Sequence, residues 1–340
     1  RNLHRLRNRP LNDASPIQAS VNAEHPSRNS RQDDVIIEAA WCYFHEGMNQ
    51  SDIAAQLRVS RASVVNYLAE ARRRNYVRTA LDSRIFRDTG LAERVKDAFG
   101  LADVMVVPAD DNDALRSLER TVRAASDWLP ELLVPGDNLG VAWGETIYRL
   151  AEAAPSVHLP DVTVVQLVGS RPAAMGFAAE TCSATLAHKF GSQCINLHVP
   201  LLLSHAALCE QLKAEPVVAE QLDAVAKCNK VIFACGTCNP DSHIVQTGLM
   251  AEGEVSDLRA RGAAGVICGR LIDHDGEAML TERESRMIGV TLDQMRGKEM
   301  SMLVASGPDR HFAAKAAIKG GYVTHLATCS ATAARLLEIA

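Results

Sequence analysis

The sequence predicts a two-part α/β protein: an N-terminal all-α helix-turn-helix module followed by a large Rossmann-like, doubly wound α/β domain. Three observations carry this. At 340 residues the chain is too long for one ordinary core and fits a small module plus a larger one. Between residues 33 and 73 apolar side chains recur at three- and four-residue spacing, in segments separated by tight turns. From about residue 102 onward, short and wholly apolar runs alternate with helical patterns, as in a parallel sheet covered on both faces.

Residues 1–30 hold Pro10, Pro16 and Pro26 among many Asn and Ser, and read as a disordered basic tail. A first helix begins at Asp33, with Asp33 and Asp34 as N-cap carboxylates and Val35, Ile36, Ala39, Ala40, Tyr43 and Phe44 as its apolar stripe. Gly47 stops it. A second helix over 50–57, a turn at Arg58-Val59-Ser60 and a third helix over 61–73 complete the module, with an extended piece at 76–81. Ile53, Ala54 and Leu57 give the second helix its inner face, and Val64, Val65 and Leu68 do so for the third. Small Ala54 lets two helices cross closely, and Ser60 is placed to cap the third. Domain limits are set at 31–82 and 83–340, the boundary being marked by polar interruptions at 82–90.

In the larger part, strands are expected at 102–107, 138–142, 162–168, 230–234, 265–268, 301–304 and 322–327. Helices are expected at 113–128, 145–154, 178–190, 312–319 and 331–339. No internal repeat is present, and no apolar run reaches the ~18–20 residues that a membrane span needs. Nine scattered cysteines, an odd number, fit a reducing cytoplasm better than a disulfide framework.

Charge is divided unevenly. The whole chain carries −5, yet residues 1–80 hold 12 arginines against 8 carboxylates. A basic end on an acidic body points to a polyanionic partner for the first part alone. On the third helix, Arg61, Ala62, Ser63, Asn66 and Tyr67 are expected to face outward from the N-terminal half, with Arg72, Arg73 and Arg74 at its end. Short polar and Arg side chains suit base edges, and flanking cations suit phosphates, so double-stranded DNA is the expected partner. A three-helix protein-interaction module with a solvated arginine face is the blander alternative.

In a doubly wound sheet, ligands gather where strand C-termini meet helix N-termini. Four glycine-bearing turns fall at such points. Gly144, Glu145 and Thr146 open a helix whose free amides suit an anion or hydroxyl. Gly169, Ser170 and Arg171 end another strand with a guanidinium. Gly236 lies in Ala234-Cys235-Gly236-Thr237-Cys238, and Arg310 closes Ala305-Ser306-Gly307-Pro308-Asp309-Arg310.

Taken in order along the chain, these stretches resemble the SorC-type family of bacterial sugar-responsive transcriptional regulators. The matching segments are 140–147, 165–169, 197–200, 231–236, 262–276, 287–294 and 303–337. In the last of them Ser306-Gly307, Ala317-Ile318, Gly320-Gly321, Leu326, Thr328 and Thr332-Ala333 keep the family's spacing. The resemblance implies a helix-turn-helix joined to an effector domain similar to sugar-phosphate isomerases, with the turns at 144–146 and 169–171 and the final turns lining the pocket. It implies a phosphate contact at Arg310, where the family usually has Lys. Two family carboxylates are missing: Val266 and Cys329 stand where acidic residues commonly accept sugar hydroxyls. Their loss implies a free polyol or a sugar of different shape.

The expected partners are therefore operator DNA and a small carbohydrate effector, with the chain as a homodimer or homotetramer. No cofactor, metal site or catalytic residue is expected. Cys235 and Cys238 form a CxxC without a second ligand pair, and Asp273-His274-Asp275-Gly276 reads as a hairpin turn rather than a metal cluster. The enzymatic alternative, a sugar-phosphate isomerase or deaminase, would draw its acid and base from Asp241, His243, Asp309 and His311.

Overall fold

A computed structural model describes residues 30–74, 76–77, 81–171 and 177–340. The expected tail lies outside the described residues, as does part of the extended piece at 76–81. The chain divides into two compact units, Arg1–Thr79 and Ala80–Ala340.

The first unit holds α1 (Ser30–Phe44), α2 (Gln50–Leu57) and α3 (Arg61–Arg73). Its core is Ile36, Ala39, Ala40 and Cys42 from α1, Ile53 and Ala54 from α2, and Val64, Leu68 and Ala71 from α3. Two N-terminal expectations are corrected. Helix α1 starts before Asp33, whose side chain lies buried against Arg74 at 2.5 Å instead of capping the helix. Val65 is 46% exposed, because the inner stripe of α3 runs 64, 68, 71 and leaves Val65 about 100° around the helix.

The turn between α2 and α3 is held by its backbone. Asn49 caps α2 by accepting from the amides of Ser51 and Asp52 at 2.9 and 3.0 Å. At the other end Arg58 adopts a left-handed conformation (φ 56°), and the Val59 amide reaches back to the Ala54 carbonyl at 2.9 Å. This is a Schellman closure, usually made with glycine. Ser60 then caps α3, its hydroxyl accepting from the Ser63 amide at 3.0 Å.

The second unit is built on strands β1 (Asp103–Val107), β2 (Asn138–Val141), β3 (Thr163–Gln166), β4 (Gln193–Ile195), β5 (Lys230–Phe233), β6 (Cys235–Gly236), β7 (Ala263–Ile267), β8 (Arg270–Asp273), β9 (Met300–Ala305) and β10 (His325–Cys329). Seven of them form one parallel sheet in the order β1-β10-β9-β5-β2-β3-β4. The chain runs outward from β2 through β3 to β4, then crosses back to β5 and continues outward through β9 to β10. Its topological switch point therefore lies between β2 and β5.

Of residues 265–268, expected in the parallel sheet, 265–267 belong instead to a separate antiparallel sheet, β6-β7-β8, and Cys268 to its turn. The reason is local: Cys268 (φ 51°) and Gly269 (φ 81°) make a two-residue hairpin turn of left-handed residues. The edge strand β4 was not anticipated; only three residues long and partly exposed, it carries little apolar signal. The Asp273-to-Gly276 stretch is a hairpin turn, closed by the Gly276 amide on the Asp273 carbonyl at 3.0 Å. Residues 82–90 belong to this unit and do not form a linker: the Ser83 hydroxyl donates to Glu131 at 2.8 Å, and Arg87 donates to Asp103 at 3.0 Å.

At the N-terminal end of the sheet, Lys230 and Asp137 form a buried ion pair at 2.6 Å. The Leu132 carbonyl accepts from Lys230 at 2.7 Å, and Asn229 and the Val134 amide donate to Asp137 at 2.9 and 2.7 Å. Burial pushes the Asp137 carboxyl up, but these hydrogen bonds together with the lysine charge outweigh it and hold the group below its ordinary range.

Candidate functional site

Two candidate sites follow, one in each unit. On α3, Arg61, Ala62, Val65 and Asn66 are exposed on the face opposite the buried stripe. The Arg61 guanidinium is steadied by Gln50 at 3.3 Å. Ser63 is half-buried, its hydroxyl 2.9 Å from that of Ser60, and Tyr67 packs partly against the core, so neither stands out as expected. Val65 joins the outer face in their place. The three terminal arginines also differ from expectation. Arg72 lies over the Phe44 ring at 5.3 Å. Arg73 donates to Glu70 at 2.6 Å, while Arg74 pairs with Glu70 as well as Asp33. Hydrogen bonds from Arg73 and Arg74 pull the Glu70 carboxyl down to about 2, so it is charged at neutral pH. Two arginines and two carboxylates thus cancel, and this end of α3 is less cationic than its sequence suggests.

In the second unit, a cavity opens over the β2/β5 switch point. Its floor is Ala142 and Trp143 after β2 and Ala234, Cys235 and Gly236 after β5. Gly144, Glu145 and Thr146 line one side, Ser306 and Arg310 another, and Ile244, Val266, Cys268 and Gly269 cover it; Leu118 completes the wall. Five expected residues therefore converge: Gly144, Glu145, Thr146, Gly236 and Arg310.

The chemistry of the walls is uneven. Gly144 has φ 105°, a conformation that side chains rarely adopt, and it turns the chain from β2 into the helix Glu145–Ala153. Its amide is taken by the Phe177 carbonyl at 3.3 Å, which leaves Glu145 and Thr146 to offer first-turn amides. The Glu145 carboxylate is held by Arg149 through Nε and Nη2 at 2.9 and 2.7 Å. Arg310 anchors one Nη on the Cys235 carbonyl at 2.9 Å. Ser306 is 8% exposed, and its hydroxyl has no hydrogen-bond partner among the described residues. A buried orphan hydroxyl costs free energy unless something completes it, so it is a positive sign of a ligand position. Burial pushes the Cys235 and Cys268 thiols up to about 11 and 12, and both line the cavity as neutral groups.

Gly169, Ser170 and Arg171 do not line this cavity. They stitch the end of β3 to neighbouring segments: the Gly169 and Ser170 amides donate to the Ile288 and Val199 carbonyls at 3.0 and 2.7 Å. A Cβ on Gly169 would come within 2.7 Å of the Leu201 amide nitrogen. Arg171 donates to the Thr247 carbonyl. Cys329 is likewise absent from the cavity, its thiol lying 3.3 Å from the Thr332 hydroxyl.

Of the acid and base candidates, Asp241 and Asp309 line a different cavity, with Arg259, His274 and Phe312. His311 is buried, and its pKa is lowered by that burial and by the Arg335 charge. Only the backbone of His243 is described. Among the described residues no group of three or more His, Cys, Asp or Glu side chains is close enough to hold a metal, and no helix is long and apolar enough to cross a membrane. Sequence reading missed Leu118, Ile244 and Cys268 as lining residues, pointed to Val266 through the family resemblance, and quoted Ser306 only as part of the turn at 305–310. Of these, only Ser306 carried a local signal, as a polar residue directly after a strand.

Comparison with known proteins agrees with this architecture. Residues 83–338 match the family model described as a putative sugar-binding domain. The chain is 34% identical to the uncharacterized transcriptional regulator YjhU of Escherichia coli K12, over 90% of this chain and 94% of that protein. It is 28% identical to the deoxyribonucleoside regulator of Bacillus subtilis, over 89% of this chain and 96% of that one. The full-length sorbitol operon regulator SorC of Klebsiella pneumoniae shares the fold, with a TM-score of 0.74 at 22% identity, over 91% of this chain and all of that one. The protein belongs to the SorC-type family of transcriptional regulators that carry a putative sugar-binding domain.

Proposed function

We propose that the chain binds operator DNA through α3, and that a small carbohydrate effector held over the β2/β5 switch point sets its operator affinity. The regulated genes are those of a carbohydrate catabolism operon. The observation that carries the first half is the division of α3 into a buried stripe, Val64, Leu68 and Ala71, and an exposed face with Arg61, Ala62 and Asn66 behind a Ser60 cap. That face has the side-chain types that read base edges in a major groove. Arg58, exposed at the turn, and Arg72 are the cations best placed for phosphates. The second half is supported by the cavity's Arg310, its first-turn amides and the unpartnered Ser306 hydroxyl. In a homodimer or homotetramer, paired recognition helices would meet half-sites a whole number of helical turns apart, and the effector would favour one arrangement of them.

An isomerase or deaminase reading is not favoured, because Asp241 and Asp309 line another cavity while Glu145, the sole carboxylate lining this one among the described residues, is paired with Arg149. The test is a fluorescence-anisotropy titration of the full chain on duplexes selected from a random pool. Arg61→Ala and Asn66→Ala are each expected to cost on the order of 1–3 kcal/mol on the selected site and to relax base preference there. Unchanged affinity in both variants would remove α3 from the interface.

A further inference from the structure

We infer that the effector turns a carbon lacking a hydroxyl, a deoxy or methyl position, toward the β7–β8 hairpin, so that fully hydroxylated sugars are the disfavoured class. This rests on the effector-sensing reading and specifies the ligand it takes. The lining of the cavity is chemically uneven. Ser306, Arg310 and the amides of Glu145 and Thr146 offer hydrogen bonds at the helix N-termini, whereas Val266, Cys268 and Ile244 cover the site from the hairpin side.

The backbone at Val266 is already committed. β7 pairs with β6 along one edge, Gly236 opposite Val266, and with β8 along the other, Val266 opposite Leu271. The amide and carbonyl of Val266 are thus engaged in the ladder and cannot serve a ligand hydroxyl, whereas Cys268 and Gly269 lie in the hairpin turn outside it. The side chain of Val266 also lies close over β6, since a Cβ on Gly236 would sit 3.4 Å from the Val266 Cβ. The wall is therefore packed in place. A sugar hydroxyl brought against Val266 would give up water and meet only its methyl groups. A CH₂ or CH₃ group at that position loses nothing and buries apolar area.

Matched sugar pairs differing by one hydroxyl test this on the full chain by calorimetry and thermal shift. Suitable pairs are ribose 5-phosphate with 2-deoxyribose 5-phosphate, glucose 6-phosphate with 2-deoxyglucose 6-phosphate, and L-galactose with its 6-deoxy counterpart L-fucose. The deoxy member of at least one pair is expected to bind about 10- to 100-fold more tightly. Val266→Thr, isosteric but carrying a hydroxyl, should narrow that ratio; it also lowers the melting temperature of the free protein, so the ratio of affinities is compared at a temperature where both variants are folded. If every hydroxylated member binds as well as its deoxy partner, the inference fails and effector sensing stands. A deoxy preference untouched by Val266→Thr also overturns it, because the discriminating contact then lies elsewhere. If no member binds and none alters DNA affinity, the sensing reading itself falls.

Discussion

The three-helix unit and the α/β body hold their working groups in opposite ways. In the first, one continuous helix buries Val64, Leu68 and Ala71 and thereby presents Arg61 and Asn66 to solvent. In the second, the cavity is gathered from residues as far apart as Leu118 and Arg310, brought together where the chain reverses direction between β2 and β5. A helix face can be specified by a dozen consecutive residues. A switch-point cavity exists only after every strand has found its place, so its integrity depends on groups at the far end of the sheet.

The sharpest way to break this contrast is to disturb that far end. Lys230→Ala would leave the Asp137 carboxylate buried without its cation, which costs on the order of 3–5 kcal/mol. The loss should appear in the body by hydrogen exchange, with α1 to α3 protected as before; a loss shared equally by both units would contradict their independence. The pH dependence has a definite sign. Since the Asp137 carboxyl is held below its ordinary range in the fold, its contribution is complete above that range and fades as pH falls through the lowered value. Lys230→Ala should therefore flatten the acid limb of the stability curve.

A smaller effect is expected in the first unit. Asn49→Ala removes the cap of α2 and should cost about 1 kcal/mol, confined to the three-helix unit. Hydrogen exchange again separates the outcomes: exchange in α2 should quicken, and an unchanged rate would show that the cap does not matter.

These two regions were not equally legible in the sequence. The limits of α2 and α3 and the cap at Ser60 follow from local spacing and turn chemistry, which adjacent residues carry by themselves. Errors there came from side chains whose partners are distant: Asp33 reads as a helix cap but is engaged by Arg74, far along the chain. In the body, the parallel strands announce themselves as apolar runs, yet their order in the sheet does not. Hence 144–146, 236 and 310 were found as strand-end turns, while Gly169, Ser170 and Arg171, with the same local signature, serve to join segments. Ile244 looks like an ordinary core residue in sequence, and Val266 stands out there through the family resemblance alone, not through its own chemistry.

The thiols offer a further check on the body. Burial pushes Cys182 and Cys228 up to about 12 and Cys235 and Cys238 to about 11, whereas Cys194 is the one exposed cysteine among the nine. At pH 8 a disulfide reagent should label Cys194 first and leave the CxxC pair slow, since a buried neutral thiol is a poor nucleophile. Labelling of Cys235 or Cys238 at a comparable rate would instead point to a redox role for that pair.

The subtlest effect concerns the end of α3, where charge and sequence disagree. Arg73 and Arg74 look like phosphate cations, but Glu70 and Asp33 neutralise them within the unit. Glu70→Gln removes one of those counterions and leaves the helix intact, so the surface gains one net positive charge. If this end of α3 lies beside the DNA backbone, binding should tighten on specific and unrelated duplexes alike, and the slope of log K against log salt should steepen by about one unit. Adding Arg73→Ala to that variant should restore the original slope. An unchanged slope in Glu70→Gln would mean that the C-terminal end of α3 points away from phosphates, leaving Arg58 and Arg61 to provide the electrostatic contact.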